Sequence, residues 1–229
     1  MIGARVSSVF LSNCTVWVEG ITDRLYLRKY LQVFQDSLDA GSRPYREDYH
    51  FSFVEYGGNN ITHWSFLDEE TTEKTIDVDK LCAKLFLITD RDGTGEELDD
   101  DSKVEKSKKR KRHIALKKKL DKQYYCLKCR EIENLLSREV LKKTIMARAK
   151  GSPIFSSEFE TGDYTATPLG TFINKTVKNA GRVYPEGTLT KKVDFCNAAL
   201  LQINNIGDLS VEARLIARKL YDFIEAHNS

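Results

Sequence analysis

Residues 15–31 read TVWVEGITDRLYLRKYL, and their pattern decides the fold class. Thr15 to Val18 is β-branched and aromatic, the signature of a short buried strand. Glu19-Gly20 ends it. A helix is predicted from about Asp23 to Phe34, because Leu27, Tyr30, Leu31 and Phe34 fall at i, i+3, i+4 and i+7, one helical face. Thr22 is placed to cap that helix.

Working outward, Gly41 to Arg46 reads as a turn, and His50 to Glu55 (HFSFVE) alternates like a second strand, broken by the GGNN at Gly57 to Asn60. Gly57 and Gly58 fit either a turn or a close approach of backbone to a site. Leu81 to Thr89 holds LFLIT, a near-continuous apolar run of the kind found in buried parallel strands. Tyr124 to Leu127 is a fourth strand, and a helix is predicted from Ile132 to about Ala149. After Gly151 the chain is punctuated by Gly, Ser, Thr and Pro up to Thr190 and reads as loop-rich. Two helices close it, near Val193–Ile203 and Val211–Ala226. Leu209, Ile216, Leu220 and Phe223 lie along one stripe of the last. Strands alternating with helices predict an α/β fold with a central, mainly parallel sheet flanked by helices, plus a C-terminal helical extension. The expected division is a catalytic domain over residues 1–150, with residues 151–229 packing on it.

The chain has 229 residues, enough for one good core or one domain with a helical appendage. Apolar residues are 41% and charged residues 31%, a soluble globular composition. No apolar run approaches the roughly 20 residues that cross a membrane. The opening MIGARVSSVF lacks the order of a secretion signal, so cytoplasmic location is the expectation. Lys plus Arg (36) nearly balance Asp plus Glu (34), so the net charge of +2 does not mark a nucleic-acid binder. The distribution says more: ten Lys or Arg lie between Lys103 and Lys119, preceded by five acids in the six positions Glu96 to Asp101. Such runs are solvated faces, or arms that contact phosphates. Under the second reading Lys108, Lys109, Arg110, Lys111 and Arg112 are the nucleic-acid contacts. Five cysteines at irregular spacing do not form a disulfide framework. The single CxxC, Cys126 to Cys129, fits buried thiols better than zinc.

In such sheets, active groups gather at the carboxyl ends of strands. Glu19, Asp90 and Asp92 sit at such ends, and Asp23 lies in the following helical turn. If the two strands are neighbours, the carboxylates converge, and like charges at close range cannot all stay ionised without compensation. Hard divalent cations, Mg²⁺ or Mn²⁺, resolve that conflict. Singly, Asp23 is explained by the helix dipole and Asp92-Gly93 by a turn.

Val18-Glu19-Gly20-Ile21-Thr22-Asp23 and Leu87-Ile88-Thr89-Asp90-Arg91-Asp92-Gly93 resemble the two signatures of the Toprim domain, a Rossmann-like catalytic module. The flavour is that of the OLD-family nucleases, whose later acidic motif Glu133-Asn134-Leu135-Leu136 resembles. The likeness covers residues 10–150. It implies a metal-dependent DNA endonuclease, nicking or cutting both strands, with two Mg²⁺ or Mn²⁺ ions. Glu19, Asp23, Asp90 and Asp92 would be ligands, Glu19 also a proton-transfer group, and Glu133 a ligand of the second ion with Glu131 as competitor. A lysine beyond the sheet would offset charge on the scissile phosphate, Lys192 or its neighbour Lys191. OLD-family proteins carry an ATPase domain, yet this sequence has no GxxxxGK[ST] loop, so an ATPase domain or subunit is an expected partner. Defence against phage or other foreign DNA, and a homodimer, complete what the resemblance implies; the Leu209–Phe223 stripe fits a dimer face and core packing equally well.

Two rivals stand beside it. Thr89-Asp90-Arg91-Asp92-Gly93-Thr94 is similar to the first motif of haloacid-dehalogenase-type phosphatases, but that motif belongs on a first strand, and two strands precede it here. The other rival is a binding or regulatory module that keeps the acidic site without turnover.

Overall fold

The computed structural model of the chain describes residues 12–57, 64–65, 76–77, 84–91, 108–180, 184 and 186–228. Four strands, β1 (Thr15–Val18), β2 (Ser52–Glu55), β5 (Leu85–Thr89) and β6 (Tyr124–Cys126), form an all-parallel sheet in the order β2-β1-β5-β6. Its register aligns Trp17 with Val54 on one side and with Leu87 on the other. Between β2 and β5 a short parallel pair joins β3 (Trp64–Ser65) to β4 (Ile76–Asp77). An antiparallel pair, β7 (Ile154–Phe155) and β8 (Val177–Lys178), lies later in the chain. The helices are α1 (Ile21–Asp36), α2 (Lys108–Leu120), α3 (Arg138–Arg148), α4 (Ser157–Thr161), α5 (Leu169–Thr176), α6 (Lys192–Leu200) and α7 (Val211–Ala226).

The described chain forms two compact units that are interleaved in sequence. The first holds Met1–Gly20, Arg43–Leu127 and Leu220–Ser229; the second holds Ile21–Ser42 and Lys128–Lys219. In the first, every side chain of β1 and β5 is buried, because a parallel sheet is covered on both faces. One face packs Trp17, Val54, Leu85, Leu87 and Tyr124 against Leu116 and Leu120 of α2. Phe86 points the other way and meets Phe223 of α7, ring centroids 5.3 Å apart. The fold is thus α/β, a four-stranded parallel sheet flanked by helices, a Rossmann-like arrangement.

In the second unit α1 and α3 both pack on α6. Buried Tyr26, Leu27, Tyr30 and Leu31 come from α1, Phe195, Cys196 and Ala199 from α6, and Val140, Leu141 and Ile145 from α3. Arg138 lies 5.0 Å above the Tyr164 ring, and Phe159 of α4 meets Phe172 of α5.

The four strands of the central sheet form where the hydrophobic pattern puts them, β3, β4, β7 and β8 are additional, and three other expectations change. Thr22 is not a cap: α1 begins one residue earlier, and Thr22 is buried inside it. The helix expected from Ile132 is two elements, a 3-10 turn at Ile132–Leu135 and then α3. Leu136 leaves helical geometry to bridge Leu209, and the Ser137 hydroxyl accepts from Val140 N at 3.4 Å to start α3 afresh. The segment read as loop-rich contains α4, α5 and the β7–β8 pair. Ser156 caps α4 by accepting from Phe159 N at 3.2 Å, and Leu169, Phe172 and Ile173 bury one face of α5. Leu209, Ile216, Leu220 and Phe223, the stripe along the last helix, are buried.

Candidate functional site

The carboxylates fall into two groups, one in each compact unit. Glu19 is the first residue after β1, and Asp90 the first after β5. The two strands are hydrogen-bonded neighbours, so the two main chains run one strand spacing apart, roughly 5 Å. Both residues are half-buried. The ladder continues past the strand ends: Tyr56 N donates to Val18 O, and Gly57 N to Glu19 O, each at 2.9 Å. Gly57 has φ +70°, a left-handed turn that a side chain would strain, so its glycine is accounted for by the backbone alone. Asp92, Gly58 and the acidic run 96–101 lie outside the described residues.

The cationic run occupies α2. This helix follows β5 and leads into β6, so its first residues, Lys108 to Arg112, lie toward the carboxyl ends of the strands. Leu116 and Leu120 anchor its other half in the core. The choice between a solvated face and a phosphate arm therefore falls on a helix that is basic at both ends and whose N-terminal end, where the dipole favours anions, opens with five consecutive Lys or Arg residues.

In the second unit Lys192, at the start of α6, bridges two carboxylates. Its ammonium is 2.9 Å from Glu131 Oε2 and 3.7 Å from Glu133 Oε2. Glu131 also meets Arg130 Nε at 3.4 Å. Glu133 is 1% exposed, and neither of its oxygens has a hydrogen-bond partner within ordinary distance. Burial pushes its carboxyl above the ordinary value, and Lys192 pulls it part of the way back. Asp23, buried in the first turn of α1, belongs to the same unit. With Glu133 it acts on the Cys196 thiol, which burial above all pushes up to about 12. Lys191 is exposed and takes the left-handed cap position before α6, φ +54°. Lys192, not Lys191, is therefore the lysine beside the acids, and Glu133 is the less compensated of the two glutamates.

A lone buried carboxylate held by one cation is sensitive to its loss. Lys192→Met leaves Glu133 buried without a counter-charge. The expected cost is about 1–3 kcal/mol at pH 7, at the lower end for a buried pair because Lys192 is itself 37% exposed. The sign with pH follows from linkage. With its folded pKa raised above the unfolded value, Glu133 holds more protons in the native state than in the unfolded one. Its contribution to stability is full below the unfolded value and is lost as pH rises through the folded one. Lys192→Met therefore melts close to wild type near pH 4 and well below it at pH 8, and Glu133→Gln in the same background removes the difference. A melting curve for Lys192→Met that is parallel to wild type across this range would exclude the coupling.

The fit of these residues to a divalent metal is mixed. Their oxygens are the hard donors that Mg²⁺ or Mn²⁺ prefers, and Glu133 offers oxygens unused by hydrogen bonds. Among the described residues, however, no group of three or more His, Cys, Asp or Glu side chains comes together to hold an ion. Glu19 and Asp90, directly after β1 and β5, are two candidate donors. Among the described residues the cysteines form no disulfide: Cys14, Cys126, Cys129 and Cys196 are thiols.

The sequence pattern missed a buried polar chain beneath Asp90. His113 Nδ1 lies 2.5 Å from Tyr124 Oη, and Tyr124 Oη lies 2.9 Å from Thr89 Oγ1. His113 sits amid a cationic run and Tyr124 in a strand, so only the β5–α2–β6 topology brings them together.

No protein-family model matches the chain, and neither a curated protein nor a solved structure is significantly similar to it. Among the described residues no helix is long and apolar enough to cross a membrane.

Proposed function

We propose that this chain is a divalent-metal-dependent endonuclease of the Toprim type that hydrolyses DNA. The observation that carries the reading is the placement of Glu19 and Asp90, each the first residue beyond one of two adjacent parallel strands. The strands that carry them are one spacing apart, and carboxylates that converge there would repel unless a cation were shared between them. Glu19 and Asp90 would hold the ion, with Asp92 following two residues after Asp90. A bound Mg²⁺ or Mn²⁺ would supply an activated water and a charge for the leaving oxygen. Glu19 would also take a proton from the nucleophile, the role the resemblance gives it. The N-terminal end of α2 would meet the DNA backbone. In the second unit Asp23 and Glu133 are the carboxylates, and Lys192 the cation, that the family resemblance assigns. The same resemblance supports an ATPase domain or subunit as partner and a role against foreign DNA.

Supercoiled plasmid incubated with the purified chain and Mg²⁺ or Mn²⁺ tests this directly. Nicked or linear product, absent with EDTA, is the expected result; intact plasmid across both metals and a range of salt would favour the binding-module reading. A companion variant replaces Lys108, Lys109, Arg110, Lys111 and Arg112 by Gln. Binding of a short duplex should weaken, with the log–log salt slope shallower by about 0.9 for each phosphate contact removed. An unchanged slope would return α2 to the status of a solvated face.

A further inference from the structure

Tyr124 is a polar residue where an apolar one would suffice. It packs among Leu85, Leu87, Leu116 and Leu120, yet its hydroxyl is buried and engaged on two sides. His113, on the next element back, is also buried, as is Thr89. Burying three such groups costs free energy unless each is hydrogen-bonded, and a satisfied buried network fixes geometry more tightly than apolar packing does. Burial holds the phenol well above its usual range, so Tyr124 remains protonated and has one hydrogen to donate. With the imidazole protonated at Nε2, Thr89 donates to Tyr124 and Tyr124 to His113 Nδ1; the other tautomer reverses the chain.

The network ends at the hydroxyl of Thr89, the residue before Asp90, and the Thr89 carbonyl accepts from Leu127 N at 2.9 Å. The Cys126 thiol lies 4.0 Å from the Asp90 carbonyl oxygen and is influenced by both Thr89 and Tyr124. The other end of the network is the sixth residue of α2. Because α2 runs back along the strands, the backbone of Lys108–Arg112 lies further toward their carboxyl ends, by about 1.5 Å per residue.

We propose that His113 and Tyr124 are positioning residues that, through Thr89 and Cys126, hold the main chain of Asp90 in register with the N-terminal end of α2. The proposal rests on the nuclease reading only in taking Asp90 as the reacting carboxylate. In this role the network sets the spacing between the cations that would bind backbone phosphate and the carboxylate that would hold the metal.

The test uses the full chain as Tyr124→Phe, His113→Leu and His113→Asn, the last placing an amide atom where Nδ1 was. Each is measured for kcat and KM in plasmid nicking, for melting temperature, and for the Thr89 and Asp90 amide resonances in a ¹⁵N-labelled sample. Tyr124→Phe and His113→Leu should lower kcat roughly 10–100-fold with KM within about twofold, as expected when a reacting group is misplaced by a fraction of an ångström. Both should shift the Asp90 amide, and His113→Asn should return kcat to within about threefold of wild type. Variants that lose melting temperature but keep kcat and an unmoved Asp90 amide would make the network merely structural and overturn the proposal. If the wild type cuts nothing, the nuclease reading fails separately, and the amide alone decides: a moved Asp90 supports positioning, an unmoved one rejects it.

Discussion

Asp90→Ala and Glu19→Ala each reduce metal-dependent plasmid nicking by on the order of 10³-fold or more, because losing a ligand forfeits several kcal/mol of transition-state stabilisation, at about 1.4 kcal/mol per decade. Both positions lie just beyond their strands and are half-buried, so neither substitution opens a core cavity. The melting temperature in EDTA should therefore change little. A large loss of activity at nearly constant stability separates loss of a ligand from loss of fold. Asp90→Asn sharpens the point: the shape is kept and the charge is gone, and the activity should fall with the alanine variant. The measurement is the initial nicking rate at saturating Mg²⁺, paired with melting curves in EDTA. Wild-type rates from both alanine variants would place the reacting centre elsewhere.

Trp17→Ala should lower the stability of the first unit by about 3–5 kcal/mol, the range for removing a large aromatic from a core. Trp17 is 1% exposed at the centre of β1, between Val54 of β2 and Leu87 of β5. It shares one packed cluster with Tyr56, Leu116 and Tyr124, so the sheet and α2 both lose contacts. Its indole N–H donates to Thr15 Oγ1 at 3.0 Å, a hydrogen bond that the smaller side chain also loses. Urea unfolding followed by circular dichroism should show the midpoint falling with the slope preserved; Trp17→Phe, which keeps most of the volume, should recover more than half of the loss. A cost below about 1 kcal/mol would contradict the packing described. Since Glu19 stands two residues further along the same strand, Trp17→Ala should reduce nicking as well, but in proportion to the unfolded fraction.

Much of the sheet was legible in the chain itself. TVWV and LFLIT are buried on both faces and read as continuous apolar runs; α7 spans Val211–Ala226 where its stripe predicts it. Glu19 and Asp90 were legible too, because the residue after a buried strand is defined by the end of the apolar run. Boundaries set by single contacts were not. Leu136 reads as one more helical apolar residue, and only its bridge to Leu209 breaks the helix there. Composition also misled between 151 and 190, where Gly and Ser suggest loops although Leu169, Phe172 and Ile173 already carry a helical spacing.

What the sequence by itself determined, then, is the alternation of strands and helices and the acids that follow two of the strands, since hydrophobic periodicity is a local signal that each element carries within its own residues. The tertiary structure alone decided the rest. It placed Lys192 against Glu131, 61 residues away, chose it over Lys191, and left Glu133 as the buried partner. It joined His113 to Tyr124 and Tyr124 to Thr89 across 11 and 35 residues. Ion pairs and hydrogen bonds between distant residues have no period to detect: they exist only once apolar burial has brought their elements side by side, and burial is also what makes leaving such groups unpaired costly.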